Sequence, residues 1–390
     1  LNFLDTANSY SKHAIMLNNA FRFLLYDKPK SIGALFGIII SIFLIGQQVG
    51  IYLFLTGLMA GLPNSTKGKV GLWVINSATQ DANSLGLLDS RLQRQVESIP
   101  GVARAYPLVV AAAQAKFESG KTAGVTIVGA QYPDFKGGPW NIVKGSAADL
   151  LPDGAFSCDE FDKRTLGGLR LGEQFELGGK KAFIAAQTRG ARGFGAAYMF
   201  TTVERARAFG RVSPDKVSAI LVDLEPNADT SLVRDRINAT MFGVRAWKTE
   251  DLSASTVAFI LSTSGIAIST GTLIVFAIIS GLIIIGLTLY SATIDRIRDY
   301  ATLKAIGSTN GFITRLILLQ CVILAVIGYA VSAVLLQGFK FGIAQGGVLF
   351  EFTPAIRVGL FVITFVISVF GAIFAIRRIT KIEPAAVFRG

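Results

Sequence analysis

The chain of 390 residues is 51% apolar and only 16% charged, with a mean hydropathy of +0.52, whereas ordinary soluble domains are about 45–50% apolar and about 25% charged. This composition excludes a wholly soluble protein and makes lipid the solvent for part of it. The net charge of +12 does not point to nucleic acid: residues 61–252 hold 24 Lys+Arg and 20 Asp+Glu, a net of +4, and the remainder 14 and 6, a net of +8. Most of the excess flanks apolar blocks, where it meets anionic headgroups, so membrane lipids are expected partners and nucleic acid is not.

In chain order, residues 1–30 read as a cytoplasmic or interfacial segment, with aromatic and aliphatic residues alternating with charge from Ala20 to Lys28. No residue is charged from Ser31 to Thr66, Leu252 to Ile294, Leu316 to Phe339 or Val358 to Ile376. Each block reaches the roughly 20 residues that cross a hydrocarbon core, and none shows the polar face of a soluble core helix. The predicted spans are Ala34–Leu58, Ile266–Tyr290, Leu316–Leu336 and Val358–Ile376. The first is too long and too far into the chain for a signal-peptide core of about 7–15 residues. The resulting division is helix 1 at 31–60, an α+β domain at 61–252 and a stalk with helix 2 at 253–292. A loop helix follows at 293–312, helix 3 at 313–337, an outer loop at 338–356, helix 4 at 357–377 and a tail at 378–390. The fold class is therefore an integral membrane α-helical protein with a large α+β periplasmic domain inserted between helices 1 and 2.

Positive charge sets the orientation. Lys12, Arg22, Lys28 and Lys30 precede helix 1, Arg296, Arg298 and Lys304 follow helix 2, and Arg377, Arg378, Lys381 and Arg389 follow helix 4. Both termini and the second loop are expected in the cytoplasm, with the large domain outside.

Within that domain, Val70–Ile75 reads as a strand and Leu87–Ser98 as a helix with Leu88, Leu92 and Val96 on one stripe. Ala105–Phe117 and Ala123–Val128 read as strands, and Phe175–Ala185 as a hairpin about Gly178–Gly179. Thr202–Ala208 and Thr230–Thr240 read as helices around the strand Ser218–Leu224. An inserted lobe is expected over 146–199.

Catalytic chemistry is hard to assemble. His13 is the sole histidine, which removes Ser-His-Asp, Cys-His and zinc arrangements from the outer domain. No catalytic or metal-ligating residue is assigned. Asp159, Glu160 and Asp162 stand beside Lys163 and Arg164 and read as a solvated charged turn. The stretch Gly190–Gly195 lacks the lysine of a phosphate loop and reads as a tight turn or a substrate-contacting loop. Cys158 and Cys321 fall on opposite sides of a membrane boundary and are not expected to pair. No acidic residue lies mid-span, which argues against ion-coupled transport. Gly33 and Gly37, and again Gly57 and Gly61, have the spacing that lets helices pack closely.

The second loop places Asp295, Arg298 and Asp299, and then Tyr300, Leu303 and Lys304, at helical spacings before a stop at Gly307. On physics alone it is either a docking surface or a charged connector. The run Arg298–Gly307 resembles the signature after the second helix of FtsX/MacB-type ABC transporter permeases, most like the DevC branch, and Glu383–Arg389 is similar to their C-terminal tail. That resemblance implies a bacterial inner-membrane permease that dimerises with a second copy of itself. Its loop helix would dock a separate cytoplasmic ABC ATPase through Asp295, Arg298, Asp299, Tyr300, Leu303, Lys304 and Gly307. ATP and Mg would be bound by that partner and no cofactor by this chain. A periplasmic membrane-fusion adaptor and an outer-membrane channel are implied for export. The same scaffold also serves FtsX-like signalling to a cell-wall hydrolase and lipoprotein release.

Overall fold

The computed structural model describes residues 28–295 and 297–380. In chain order it contains α1 (Lys28–Met59), α2 (Gly61–Ser65), β1 (Leu72–Asn76), β2 (Leu88–Asp89), α3 (Leu92–Glu97), β3 (Val102–Lys116) and β4 (Thr122–Ala130). Next come β5 (Ile142–Lys144), β6 (Ala155–Asp159), β7 (Gln174–Leu177), β8 (Lys180–Thr188), β9 (Ala197–Thr202) and α4 (Val203–Gly210). Then follow β10 (Lys216–Val217), β11 (Ala219–Leu224), α5 (Thr230–Thr240), β12 (Val244–Lys248) and α6 (Thr249–Ser264). The chain closes with α7 (Ile266–Asp295), α8 (Ile297–Ala305), α9 (Asn310–Ala344) and α10 (Pro354–Thr380). Among the described residues, four stretches are long and apolar enough to cross a membrane: Ser31–Met59, Ile266–Ile284, Asn310–Ala344 and Pro354–Ile373. The interfacial segment expected before residue 28 and the tail motif Glu383–Arg389 lie outside the described residues.

Two compact units result, one of residues 28–52 with 268–380 and one of Leu53–Ala267. In the second, β12, β1, β11 and β3 form adjacent antiparallel strands. With α3 linking β1 to β3 and α5 linking β11 to β12, this is a split β-α-β arrangement. β1 alternates as a two-faced strand must. Leu72 and Val74 pack with Val96 of α3 and with Val233 and Ile237 of α5. Trp73 and Ile75 pack with Leu62 of α2 and Leu252 of α6 on the opposite face.

The far half of β3 leaves this sheet and pairs with β4. β4 pairs in parallel with β9, β6 in parallel with β8, and the hairpin β7–β8 returns to the end of β3. Between β6 and β9, Thr201 Oγ1 donates to Ala155 O (2.9 Å) and Ser157 Oγ accepts from Phe200 N (3.2 Å). The six strands thus make a nearly closed barrel filled by residues such as Ile127, Phe156, Cys158, Phe175, Ile184 and Met199, with Phe209 of α4 packed edge-on to Phe156. The stretch 146–199 holds β6, β7, β8 and the first half of β9, but the barrel also takes β4 and half of β3, so the two lobes share a strand.

The hairpin β7–β8 turns at Gly178 and Gly179, which hold φ of 59° and 87°, the signs a two-residue type I′ turn requires. The helix expected over Leu87–Ser98 is shorter. Leu88 pairs with Val217 in a two-residue ladder, and Asp89 Oδ1 accepts from Arg91 N (2.9 Å), so the helix starts only at Leu92. Apolar spacing alone could not anticipate a strand partner more than a hundred residues away.

Candidate functional site: the loop helix and the stalk

α8 is a nine-residue helix between two membrane-length ones. At about 100° per residue, its inward side carries Tyr300 and Ala301, which are 2% and 1% exposed. The outward side carries Arg298, Asp299, Thr302, Ala305 and Ile306, all exposed, with Ile306 at 79%. Leu303 sits half-buried on a flank, Lys304, four residues after Tyr300, is half-buried on the inward side, and Asp295 is exposed at the end of α7. Of the predicted residues, Asp295, Arg298, Asp299 and Gly307 therefore face outward, whereas the Tyr300 ring is packed inside the chain and is not part of an accessible face. Thr302 and Ile306 were missed. With Arg298 they form an i, i+4, i+8 series, a signal that the predominance of charge in this loop obscured.

The helix stop is set by Gly307. Its φ is 103°, Ser308 N donates to Leu303 O (2.9 Å) and Gly307 N to Lys304 O (3.0 Å). These are the paired bonds of a Schellman cap, which needs a left-handed residue at that position. α9 restarts at once with Thr309 as N-cap, its hydroxyl accepting from Phe312 N. A helix punctuated this sharply at its C-terminal end presents a fixed face.

Close packing of α1 depends on small residues, though not the whole predicted set. A methyl group on Gly37 would lie 2.6 Å from Ile284 of α7, one on Gly46 2.4 Å from Leu336 of α9, and one on Gly50 2.6 Å from the Phe350 ring. Gly33 is exposed, as is Gly57, which has nothing within 4 Å of an added Cβ. The close-packed pair is Gly46-x-x-x-Gly50, and Gly37, nine residues before Gly46 and so about 180° round the helix, packs on the opposite face against α7. Ser332 Oγ of α9 donates to Ile39 O (3.1 Å) along the same seam.

α6 is the stalk. Thr249, Leu252, Ser253, Thr256 and Ile260 form its buried stripe. Thr249 Oγ1 donates to Val70 O (3.2 Å), Ser255 Oγ to Gln80 O (2.9 Å), and Thr256 Oγ1 accepts from Ala82 N (3.0 Å). It ends at Gly265, whose φ of 69° breaks the 43-residue uncharged block into α6 and α7.

The acidic trio differs from expectation. Asp159 and Asp162 are 0% and 5% exposed, not solvated. Asp159 accepts from Thr188 Oγ1 (3.0 Å), Ala191 N (2.8 Å) and Phe161 N (3.1 Å), and Asp162 pairs with Arg192 at 2.7 Å. Burial pushes the Asp159 carboxyl up from its ordinary value, against these hydrogen bonds. The carboxylates pin the glycine-rich stretch 190–195, so it is a clasped turn.

Two family models cover most of this architecture. The MacB-like periplasmic core domain matches residues 31–240, more than half of the chain, and the FtsX-like permease C-terminal region matches residues 271–384, which include α8. The chain belongs to the FtsX/MacB-type family of ABC transporter permeases. An uncharacterized ABC transporter permease of Mycobacterium tuberculosis is 25% identical over 367 residues, spanning 90% of this permease and 95% of the relative. One from Mycobacterium bovis is 25% identical over 366 residues, with the same coverage of each chain. Among solved structures, the periplasmic region of MacB from Actinobacillus actinomycetemcomitans is similar at 9% identity and TM-score 0.37, covering 50% of this permease and 97% of that chain. The extracellular domain of the transporter YknZ from Gram-positive bacteria is similar at 14% identity and TM-score 0.33, covering 46% and 99%. The assignment rests on the family match. The permease therefore has membrane-spanning helices with its large domain between the first and second.

Proposed function

We propose that this permease is the non-catalytic transmembrane subunit of an ABC exporter, which passes ATP-driven motion from a separate cytoplasmic ATPase to its outer domain. The outer domain then expels a lipid-like or otherwise amphipathic substrate through a periplasmic adaptor and an outer-membrane duct. Two copies of the permease work with two ATPase subunits, and both termini and α8 lie in the cytoplasm. ATP and Mg belong to the partner.

The observation that carries this reading is the two-faced, capped α8. Its inner side, with Tyr300 and Ala301, belongs to the chain's own packing, and its outer side offers Arg298, Asp299, Thr302 and Ile306. An exposed isoleucine among charges is the composition of an anchored docking face, with a hydrophobic contact inside a polar rim. The absence of acidic residues within the four spans leaves ion coupling without a mid-membrane carrier.

The test uses the permease purified with its ATPase from native membranes. Ile306→Glu and Thr302→Glu are expected to remove the ATPase from the purified complex, or to abolish stimulated hydrolysis, while the thermal midpoint stays unchanged. An unaltered rate and stoichiometry in both variants would sink the docking assignment. Recovery of a wall hydrolase in place of an adaptor would replace export by signalling.

A further inference from the structure

Between β1 and β2 the chain makes a short loop, Thr79–Asn83, from which four separate elements are bonded, β1 among them through Thr79 N, which donates to Asn76 O (2.9 Å). The Asn83 amide Nδ2 donates to Met59 O (2.8 Å), one of the carbonyls that the C-terminal end of any helix leaves without an intrahelical partner. Asn83 Oδ1 accepts from the Tyr198 hydroxyl of β9 (3.3 Å). One residue earlier, Ala82 N donates to Thr256 Oγ1 of α6, and Gln80 O accepts from Ser255 Oγ of the same helix. Asn83 N is itself held by Asp81 Oδ1 (2.8 Å), and Asp81 is buried. The loop thus joins the end of α1, the stalk α6, the sheet strand β1 and the barrel strand β9.

Tyr198 has little freedom to absorb a displacement. Its ring is buried, edge-on to both Trp140 and Phe200, and a Cβ added at Gly193 would lie 2.3 Å from it. Its phenol is pushed above its usual range by burial, so it remains a hydrogen-bond donor at every physiological pH. A side chain locked on three sides passes movement of its hydroxyl to its own strand instead of dissipating it by changing rotamer.

We propose that Asn83 is a positioning residue through which displacement of the first transmembrane helix and the stalk reaches the barrel lobe, with the Tyr198 hydroxyl as its contact on β9. The inference rests on the transmission reading above and assigns it a residue-level path within the outer domain. Neither Asn83 nor Tyr198 touches the ATPase face, so hydrolysis and assembly should survive their loss while the link to the barrel does not.

The experiment is hydrogen exchange on the full-length permease with its ATPase in lipid nanodiscs, nucleotide-free and ATP-bound, using an ATPase subunit unable to hydrolyse. Wild type is expected to show a nucleotide-linked change in exchange across residues 190–202. Asn83→Ala and Tyr198→Phe are expected to lose that change while keeping the thermal midpoint, the bound ATPase and, with active ATPase, the hydrolysis rate. Tyr198→Phe removes one oxygen from an intact ring and so carries the test if Asn83→Ala proves unstable. A nucleotide-linked change in 190–202 that persists undiminished in Tyr198→Phe overturns the inference. Wild-type changes elsewhere in Leu53–Ala267 but not in 190–202 overturn it as well and leave the transmission reading standing. No nucleotide-linked change anywhere in the outer domain overturns that reading and this inference with it.

Discussion

Gly37 carries its role through the absence of one methyl group. Because an added Cβ would lie 2.6 Å from Ile284 Cγ2, Gly37→Val is expected to destabilise the membrane unit by roughly 1–3 kcal/mol through overpacking, whereas Gly57→Val, with open space around it, should be near neutral. Thermal unfolding in detergent compares the two. Asp159 makes a prediction about pH. Its folded pKa lies above the unfolded one because of burial, so the folded state holds the proton more tightly. Stability attributable to Asp159 is therefore greatest at acid pH and falls as pH rises from the ordinary carboxylate range through the raised value. The stability difference between wild type and Asp159→Asn, measured by thermal melts across acid to neutral pH, should shrink along that direction. A difference that grows with pH would refute the sign. Sequence reading missed this group because neighbouring Lys163 and Arg164 suggest solvent, while the strand β6 that carries Asp159 inward is visible only once β8 is beside it.

At the scale of elements, α8 and α6 show two uses of a helix surface. Tyr300→Glu should cost about 3 kcal/mol or more, since it buries a charge where a ring was packed, and it should therefore reduce folded yield, unlike the outward substitutions at Thr302 and Ile306. Fluorescence size-exclusion chromatography of the expressed protein reads that difference. In α6, Thr256→Val removes the acceptor for Ala82 N, leaving a buried amide unsatisfied at a cost of about 1–3 kcal/mol. Local hydrogen exchange at residues 79–83 should rise in that variant even if the rest of the domain is unchanged. The helices and strands with clear periodicity were legible in the sequence: the hairpin at Gly178–Gly179, the helix 230–240 and the stop at Gly307. β6 and β9 were not. Their residues are buried throughout, in AFSCD and AYMFTT, and a strand pressed on both sides shows no alternation to read.

At the scale of the whole molecule, Cys158 provides a report on the integrity of the barrel. It is 1% exposed and burial pushes its thiol up to about 12, so the reactive thiolate is suppressed. Alkylation at mildly alkaline pH should be negligible in the folded permease and should appear together with loss of the barrel on unfolding, which pulse labelling followed by mass spectrometry measures. Labelling at the native rate of an exposed thiol would mean that the barrel opens readily. The sequence by itself determined the membrane class, the four spans, the place of the large domain and the loop motif that points to the family. Those follow from uninterrupted runs of uncharged residues and from contiguous motifs, and both are local properties. Tertiary structure alone decided that Tyr300 faces inward and Ile306 outward, that Gly46 and Gly50 carry packing where Gly33 does not, that Asp159 clasps a loop, and that the loop Thr79–Asn83 joins four elements. Each of these depends on which distant segment occupies the neighbouring space, and spacing along the chain holds no record of that.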